Sequence, residues 1–320
     1  MKQPTVVGID IGTSLTRVVV AASKSEVGKL PVILGIGIAE TRGMKHGYIV
    51  SQAEVLSSLK KALQDAERES GIKIRSAALS IGGIGLASEY ASGGAVVSRA
   101  DGVISKFDIE KAIAEAESAL DLKNRVILHA FPVLFKVDGK ELPTRPEGIV
   151  GSKIEVKTLF ITCFEQHLSD LLSVVNEAGV KVTNFTATPI ASHRLLLSDL
   201  QRNFGCALID IGAETVSVSI FENGTLTSLH VFGIGSLDVT KDIALGLRIT
   251  PEEAESLKLG AVSFQSVPKK KLDEIIEARL TDIFELLDKY LRKIGRSGLL
   301  PAGAILIGGG SGLSQIEPVA

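Results

Sequence analysis

Apolar residues along this chain fall into short β-branched runs and longer stripes of helical period, and the two kinds alternate. Residues 5–11 and 15–22 are aliphatic runs split by Gly12-Thr13-Ser14, which predicts strand, turn, strand. Residues 32–39 predict a third strand. Over 52–70, Val55, Leu56, Leu59 and Leu63 keep helical spacing, and Gly71 follows as a stop. Residues 74–81 predict a strand ended by Gly82-Gly83. Between 85 and 160 the character changes. Strand-like pieces at 94–98, 125–137 and 153–162 surround one helix at 108–120, preceded by a loose Ser105/Asp108 capping signal. This predicts a compact β-rich insert.

The alternation then resumes. Helices are predicted at 165–178 and 189–200, with strands at 180–187, 206–211, 216–221 and 225–231, the last two joined by an Asn223-Gly224 hairpin turn. Helices at 237–246 and 251–258 follow. The second has a Thr250/Glu253 capping box and Pro251 at its first position. Residues 272–294 carry one continuous Ile/Leu stripe, ended by Gly295. Their polar face mixes both charge signs, so it suits a core helix against a sheet better than a membrane surface. A last strand at 304–307 runs into Gly308-Gly309-Gly310.

Composition narrows the reading. The 320 residues suggest about two domains. At 45% apolar and 22% charged the chain is not a disordered one. Thirty-five basic against 37 acidic residues give a net charge of −2, so no global basic excess points to nucleic acid. No apolar run reaches the ~18 residues of a membrane span, and Asp10 interrupts the place of a signal peptide's apolar stretch. Cys163 and Cys206 exclude a disulfide framework, and the five histidines lack metal-ligand spacing. These features together predict a cytosolic α/β protein. Lys269-Lys270-Lys271 reads as a solvated basic loop.

The most informative pattern is a duplication. Gly8-Ile9-Asp10-Ile11-Gly12-Thr13-Ser14 is echoed by Leu208-Ile209-Asp210-Ile211-Gly212-Ala213-Glu214-Thr215. Each copy is an apolar strand ending in Asp-Ile-Gly that turns into a second strand. Glycine lets backbone N–H groups approach anionic oxygens, and a carboxylate at each strand end can hold a hydrated Mg²⁺. Two such turns face to face would clamp one triphosphate, and Gly308 to Gly310 could let an adenosine lie against the backbone. No G-x-G-x-x-G opens a helix after the first strand, and no G-x-x-x-x-G-K-[S/T] is present.

These residues resemble the actin-like ATPases and, within them, the bacterial cell-division family FtsA. The resemblance runs along nearly the whole chain. Its specific pieces include Thr41-Arg42-Gly43-Met44-Lys45-His46-Gly47, Ile127-Leu128-His129-Ala130-Phe131-Pro132 and Thr240-Lys241-Asp242-Ile243-Ala244, with Glu277-Ala278-Arg279. The resemblance implies an α/β fold of two duplicated ribonuclease-H-like halves, each with a mixed five-stranded sheet, plus a small α+β inserted domain, 1C. It implies subdomain 1A at 1–84 and 161–190, 1C at 85–160, an incomplete 2A at 191–235 and 296–320, and 2B at 236–295. Asp10 and Asp210 would hold Mg²⁺ through water. Gly12, Thr13 and Ser14 would form the first phosphate loop, and Gly212, Ala213, Glu214 and Thr215 the second. Glu255 and Lys258, one helical turn apart, would contact the nucleoside, and Gly308, Gly309 and Gly310 would back the adenine. The implied cofactors are ATP and Mg²⁺. The implied partners are the tubulin-like FtsZ, further copies in a filament, later divisome membrane proteins, and the cytoplasmic face of the membrane at the division site, reached through a C-terminal tail beyond Ala320. No nucleic acid is implied.

Three departures bear on this. Ala213 and Glu214 stand where the family's second loop has glycines, and Ser217 replaces its last acid. Glu214 would bring a negative side chain near a γ-phosphate. Thr188, ahead of Pro189, stands where many relatives have Gln. The shorter last domain should leave one sheet short and some apolar surface uncovered. The expectation is ATP binding with at most weak hydrolysis. Two alternatives share the fold: a PilM-like platform of type IV pilus machinery, and a metabolite kinase, for which no catalytic base is evident outside Asp10 and Asp210.

Overall fold

The computed structural model describes residues 5–22, 30–142, 144–261 and 268–319. Residues 1–4 and 320, within the expected bounds of 1A and 2A, lie outside them. The first half opens with β1 (Thr5–Ile11), β2 (Leu15–Ala22) and β3 (Val32–Glu40). A small hairpin of β4 (Met44–Lys45) and β5 (Tyr48–Ile49) follows, then α1 (Gln52–Ser70) and β6 (Ser76–Ile81). The insert holds β7 (Ala87–Val96), α2 (Lys106–Ser118), β8 (Arg125–Val137), β9 (Lys140–Leu142) and β10 (Lys153–Phe164). The chain returns through α3 (Glu165–Glu177), β11 (Lys181–Ala187), α4 (Thr188–Leu196) and α5 (Asp199–Phe204). The second half contains β12 (Cys206–Ile211), β13 (Val216–Glu222), β14 (Thr225–Phe232), α6 (Ser236–Leu247), α7 (Pro251–Lys258), α8 (Lys269–Lys293), β15 (Ala304–Ile307) and α9 (Ile316–Val319).

Three sheets organise these elements. The first has the order β11-β6-β1-β2-β3, with β1 to β3 antiparallel and β6 and β11 parallel to β1. The second repeats that plan in four strands among the described residues, β14-β13-β12-β15, with β15 parallel to β12. The insert is an antiparallel β7-β10-β8-β9 sheet carrying α2. This is the expected duplicated actin-like architecture with an inserted domain, and the second sheet is the shorter one.

Burial follows the strand period. Along β12, Cys206 and Leu208 face the core of the first half, whereas Ala207, Ile209 and Ile211 face the helices of the second. A strand covered on both faces reads as a continuous apolar run. Leu226, Leu229 and Val231 of β14 join Cys206 and Leu208 in the first core, so the two halves share packing. The α8 stripe is buried through Ile276, Leu280, Ile283 and Leu287, as a core helix requires. Arg279 on α8 forks onto Asp242 of α6, with Nη2 to Oδ1 at 3.0 Å, which joins two of the recognised motifs. No helix among the described residues is long and apolar enough to cross a membrane.

Several boundaries differ from expectation, among them α2, which runs from Lys106 to Ser118 rather than 108–120. The 189–200 helix is two helices, because Leu197 is extended and Ser198 starts α5 with a capping box to Gln201. β7 begins at Ala87 rather than 94; its polar Ser88, Glu89 and Ser92 hide a strand that the β10 ladder holds from Ala87 to Val96. The strand expected from 74 starts at Ser76. Lys269-Lys270-Lys271 are exposed but form the first turn of α8, not a loop.

Three buried or half-buried histidines set the pH response. His129 Nε2 accepts the Ala187 N–H at 3.0 Å, so the neutral ring carries its proton on Nδ1. Burial holds His129, His167 and His193 below the ordinary imidazole range. Such groups bind more protons unfolded than folded, so stability is fully present above the ordinary imidazole pKa and is lost as pH falls below it. Urea midpoints should therefore drop between pH 7.5 and 5.5. The capping carboxylate Asp108 is held far below its usual range by bonds from Ser105 and Ser98, and adds a loss of the same sign at lower pH. A midpoint that rises on acidification to pH 5.5 would contradict the burial of these rings.

Candidate functional site

The duplicated turns are alike in detail. Gly12 N–H closes the first on Leu15 O at 3.1 Å, and Gly212 N–H closes the second on Thr215 O at 2.8 Å. In register, Asp10 lies opposite Arg17, and Asp210 opposite Ser217. The likeness extends to the parallel neighbours. Beside β1, β6 ends in Gly82-Gly83; beside β12, β15 ends in Gly308-Gly309-Gly310. All four strand ends open into one cleft of about 1140 Å³ between the halves. The N–H groups of Thr13, Ser14 and Ala213 have no protein acceptor among the described residues. They leave donors without a partner at the mouths of both turns.

Both aspartates line this cleft. The Ser80 hydroxyl donates to Asp10 Oδ1, and Arg17 Nη1 lies 3.9 Å from Asp10 Oδ2. Burial pushes the Asp210 carboxyl up and the Asp10 charge adds to this, while Arg17 pulls it down. A buried carboxyl raised by a neighbouring carboxylate's charge belongs to a donor set whose repulsion a cation would relieve. At Gly308, φ is +86°, and an added Cβ would overlap Asp210 Oδ1 and come within 2.5 Å of Ile211 O. The glycine is therefore what lets β15 close against the Asp210 turn.

Glu255 and Lys258 line the opposite side. They are not an ordinary surface pair: the Lys258 side chain is only 4% exposed. Its ammonium donates to Glu255 at 2.7 Å, to Thr240 Oγ1 at 2.8 Å and to Ser236 O at 3.1 Å, while the Thr240 hydroxyl donates to Glu255. A buried ammonium needs such a cage. The turn itself anchors α6, since Ser236 N–H donates to Gly212 O and Leu237 N–H to Ala213 O.

Of the residues expected from sequence, Asp10, Gly12, Thr13, Ser14, Asp210, Gly212, Ala213, Thr215, Glu255, Lys258 and Gly308 to Gly310 come together around the cleft. Glu214 is the exception. Its carboxylate accepts the His46 N–H at 2.6 Å and it does not line the cleft. Thr188 and Ser217 also line the cleft. Arg17, Ser80, Gly82 and Gly83 were not singled out beforehand. The strand followed by Gly82-Gly83 repeats the strand before Gly308-Gly309, a signal present in the sequence.

Comparison with known proteins bears on the family and the fold. The family model "Cell division protein FtsA" matches residues 207–318, and that of the SHS2 domain inserted in FtsA matches 85–162. The cell division protein FtsA of Bacillus subtilis (strain 168) is 31% identical, over 98% of this chain and 75% of its own length. The FtsA of Streptococcus pneumoniae serotype 2 (strain D39) is 32% identical, over 94% of this chain and 70% of its own. Among solved structures, a PilM-PilN type IV pilus biogenesis complex superposes with a TM-score of 0.72 at 18% identity, covering 98% of this chain and 84% of that one, a likeness of fold. The chain belongs to the FtsA family of cell division proteins.

Proposed function

We propose that this chain is a nucleotide-binding, filament-forming adaptor that ties an FtsZ-like tubulin homologue to the cytoplasmic membrane at the division site and recruits later divisome proteins. One observation carries the nucleotide part: two matched Asp-Ile-Gly turns open on one cleft. In this reading Asp10 and Asp210 hold a hydrated Mg²⁺, the turns Gly12 to Ser14 and Gly212 to Thr215 form the two phosphate loops and offer the N–H groups of Thr13, Ser14 and Ala213, Glu255 and Lys258 reach the ribose, and Gly308 to Gly310 back the adenine. Mg²⁺ supplies charge neutralisation between the carboxylates and the phosphates. The subdomains are those expected above, 1A, 1C, 2A and 2B, with α7 and α8 in 2B.

Hydrolysis is weak in this reading. Thr188 offers a hydroxyl where a water would need a well-aimed carboxamide, and among the described residues the acids lining the cleft beside Asp10 and Asp210 are Glu255 and Asp273. The test is co-assembly with the FtsZ-like partner. With Mg-ATP the protein should form filaments by electron microscopy and carry FtsZ polymers into the pellet, with turnover far under the ~1–100 s⁻¹ of kinases. Failure to pellet with FtsZ polymers, or kinase-like turnover with a sugar acceptor, would refute the adaptor reading.

A further inference from the structure

We propose that His46 is a positioning residue for the nucleotide site: it holds the Glu214 carboxylate outside the cleft, so the second phosphate loop faces phosphate without presenting a negative charge. The inference rests on the nucleotide reading above. Ala213 and Thr215, on either side of Glu214, line the cleft, but Glu214 does not. Its Oε2 takes the His46 N–H at 2.6 Å, a charge-assisted bond. Its carbonyl oxygen lies 3.1 Å from His46 Nδ1. A carbonyl only accepts, so Nδ1 carries the proton. His46 thus grips both the side chain and the main chain of one residue in the other half.

His46 is itself held. It sits in the β4–β5 turn, where Met44 pairs with Ile49 and Lys45 with Tyr48, and it adopts a left-handed φ of +48°. Its carbonyl accepts the Ile84 N–H at 3.2 Å. The next residue, Gly47, packs so closely on Gly83 that an added Cβ would overlap its Cα. Gly83 ends β6 and lines the same cleft. The hairpin therefore ties the end of β6 in the first half to the second phosphate loop. Letting the Glu214 carboxylate go would place a like charge beside the terminal phosphate. That penalises ATP more than ADP, and the ATP-to-ADP affinity ratio reads it directly.

The experiment is calorimetric titration of the full chain with ATP and with ADP in Mg²⁺. Glu214→Asp keeps the charge but is one methylene too short to reach the His46 N–H. It should lower ATP affinity about tenfold more than ADP affinity. His46→Gly tolerates the positive φ and keeps the N–H that binds the carboxylate, but it loses the imidazole that fixes the Glu214 main chain opposite that N–H, so it should shift the ratio in the same direction by a smaller factor than Glu214→Asp. Glu214→Gln should then recover ATP affinity in the His46→Gly background far more than it changes the parent, giving a coupled double-mutant cycle. Equal shifts for ATP and ADP in Glu214→Asp and His46→Gly, or the same Glu214→Gln effect in both backgrounds, would overturn the inference. A parent chain that binds neither nucleotide would overturn the nucleotide reading with it. A parent that binds ATP with a flat cycle overturns this inference alone.

Discussion

Asparagine at position 210 should make the nucleotide-free protein more stable while removing most of its affinity for Mg-ATP. The Asp210 carboxyl is pushed up by burial first and by the Asp10 charge second, against the pull of Arg17. A group whose pKa is raised on folding holds more protons folded than unfolded. Its contribution is fully present below the ordinary carboxylate pKa and is lost as pH rises through the raised one. At pH 7.5 the ionised side chain is therefore a cost that Asn removes with nearly the same shape. Chemical denaturation without nucleotide should show a gain of about 0.5–1 kcal/mol. With Asp210 in its proposed role of holding the ion through water, loss of its carboxylate should lower Mg-ATP affinity about 10- to 100-fold. A destabilised Asp210→Asn protein with unchanged ATP affinity would show that Asp210 is a structural group and not part of the ion site.

Gly308→Ala should be among the most damaging single methyl groups that can be added near the cleft. The position has φ +86° and ψ 170°, a region open essentially to glycine alone, which costs an alanine about 1–3 kcal/mol. The new Cβ would also press on Asp210 Oδ1 and on the Ile211 carbonyl, and the carbonyl is backbone that cannot yield without moving the Asp210 turn. Overpacking of this kind costs a further ~1–3 kcal/mol. The adjacent residue is an internal control: at Gly309 an added Cβ meets nothing within 4 Å. Gly309→Ala should thus change the denaturation midpoint by less than ~0.5 kcal/mol. Equal losses at the two positions would mean that the close approach of β15 to the Asp210 turn is not what requires glycine.

Much of this was legible in the sequence, because the relevant signals are local. The Asp-Ile-Gly repeat, the α1 and α8 stripes and the Thr250/Glu253 capping box each lie within one window of chain, and the structure builds them as read. What escaped depends on partners far along the chain. The polar residues at the start of β7 are strand because β10, sixty and more residues later, supplies the ladder. The break between α4 and α5 is the exception, local and readable, since Ser198 and Gln201 form a capping box directly after the Leu195-Leu196-Leu197 run that masked it. Arg17 was hidden by its strand, where its position opposite Asp10 appears only once the hairpin register is known. Glu214 could be placed near phosphate from its loop, but its bond to His46, 168 residues away, has no local signal.

In the proposed function the two matched turns hold one Mg-ATP between the halves of the molecule. Calorimetric titration of the full chain with ATP, run once in Mg²⁺ and once in EDTA, tests it most directly. One ATP should bind per chain in Mg²⁺, with an affinity lower by about tenfold or more in EDTA, because Asp10 and Asp210 would then face the phosphates without a cation. No binding in Mg²⁺, or the same affinity with and without the ion, would contradict it.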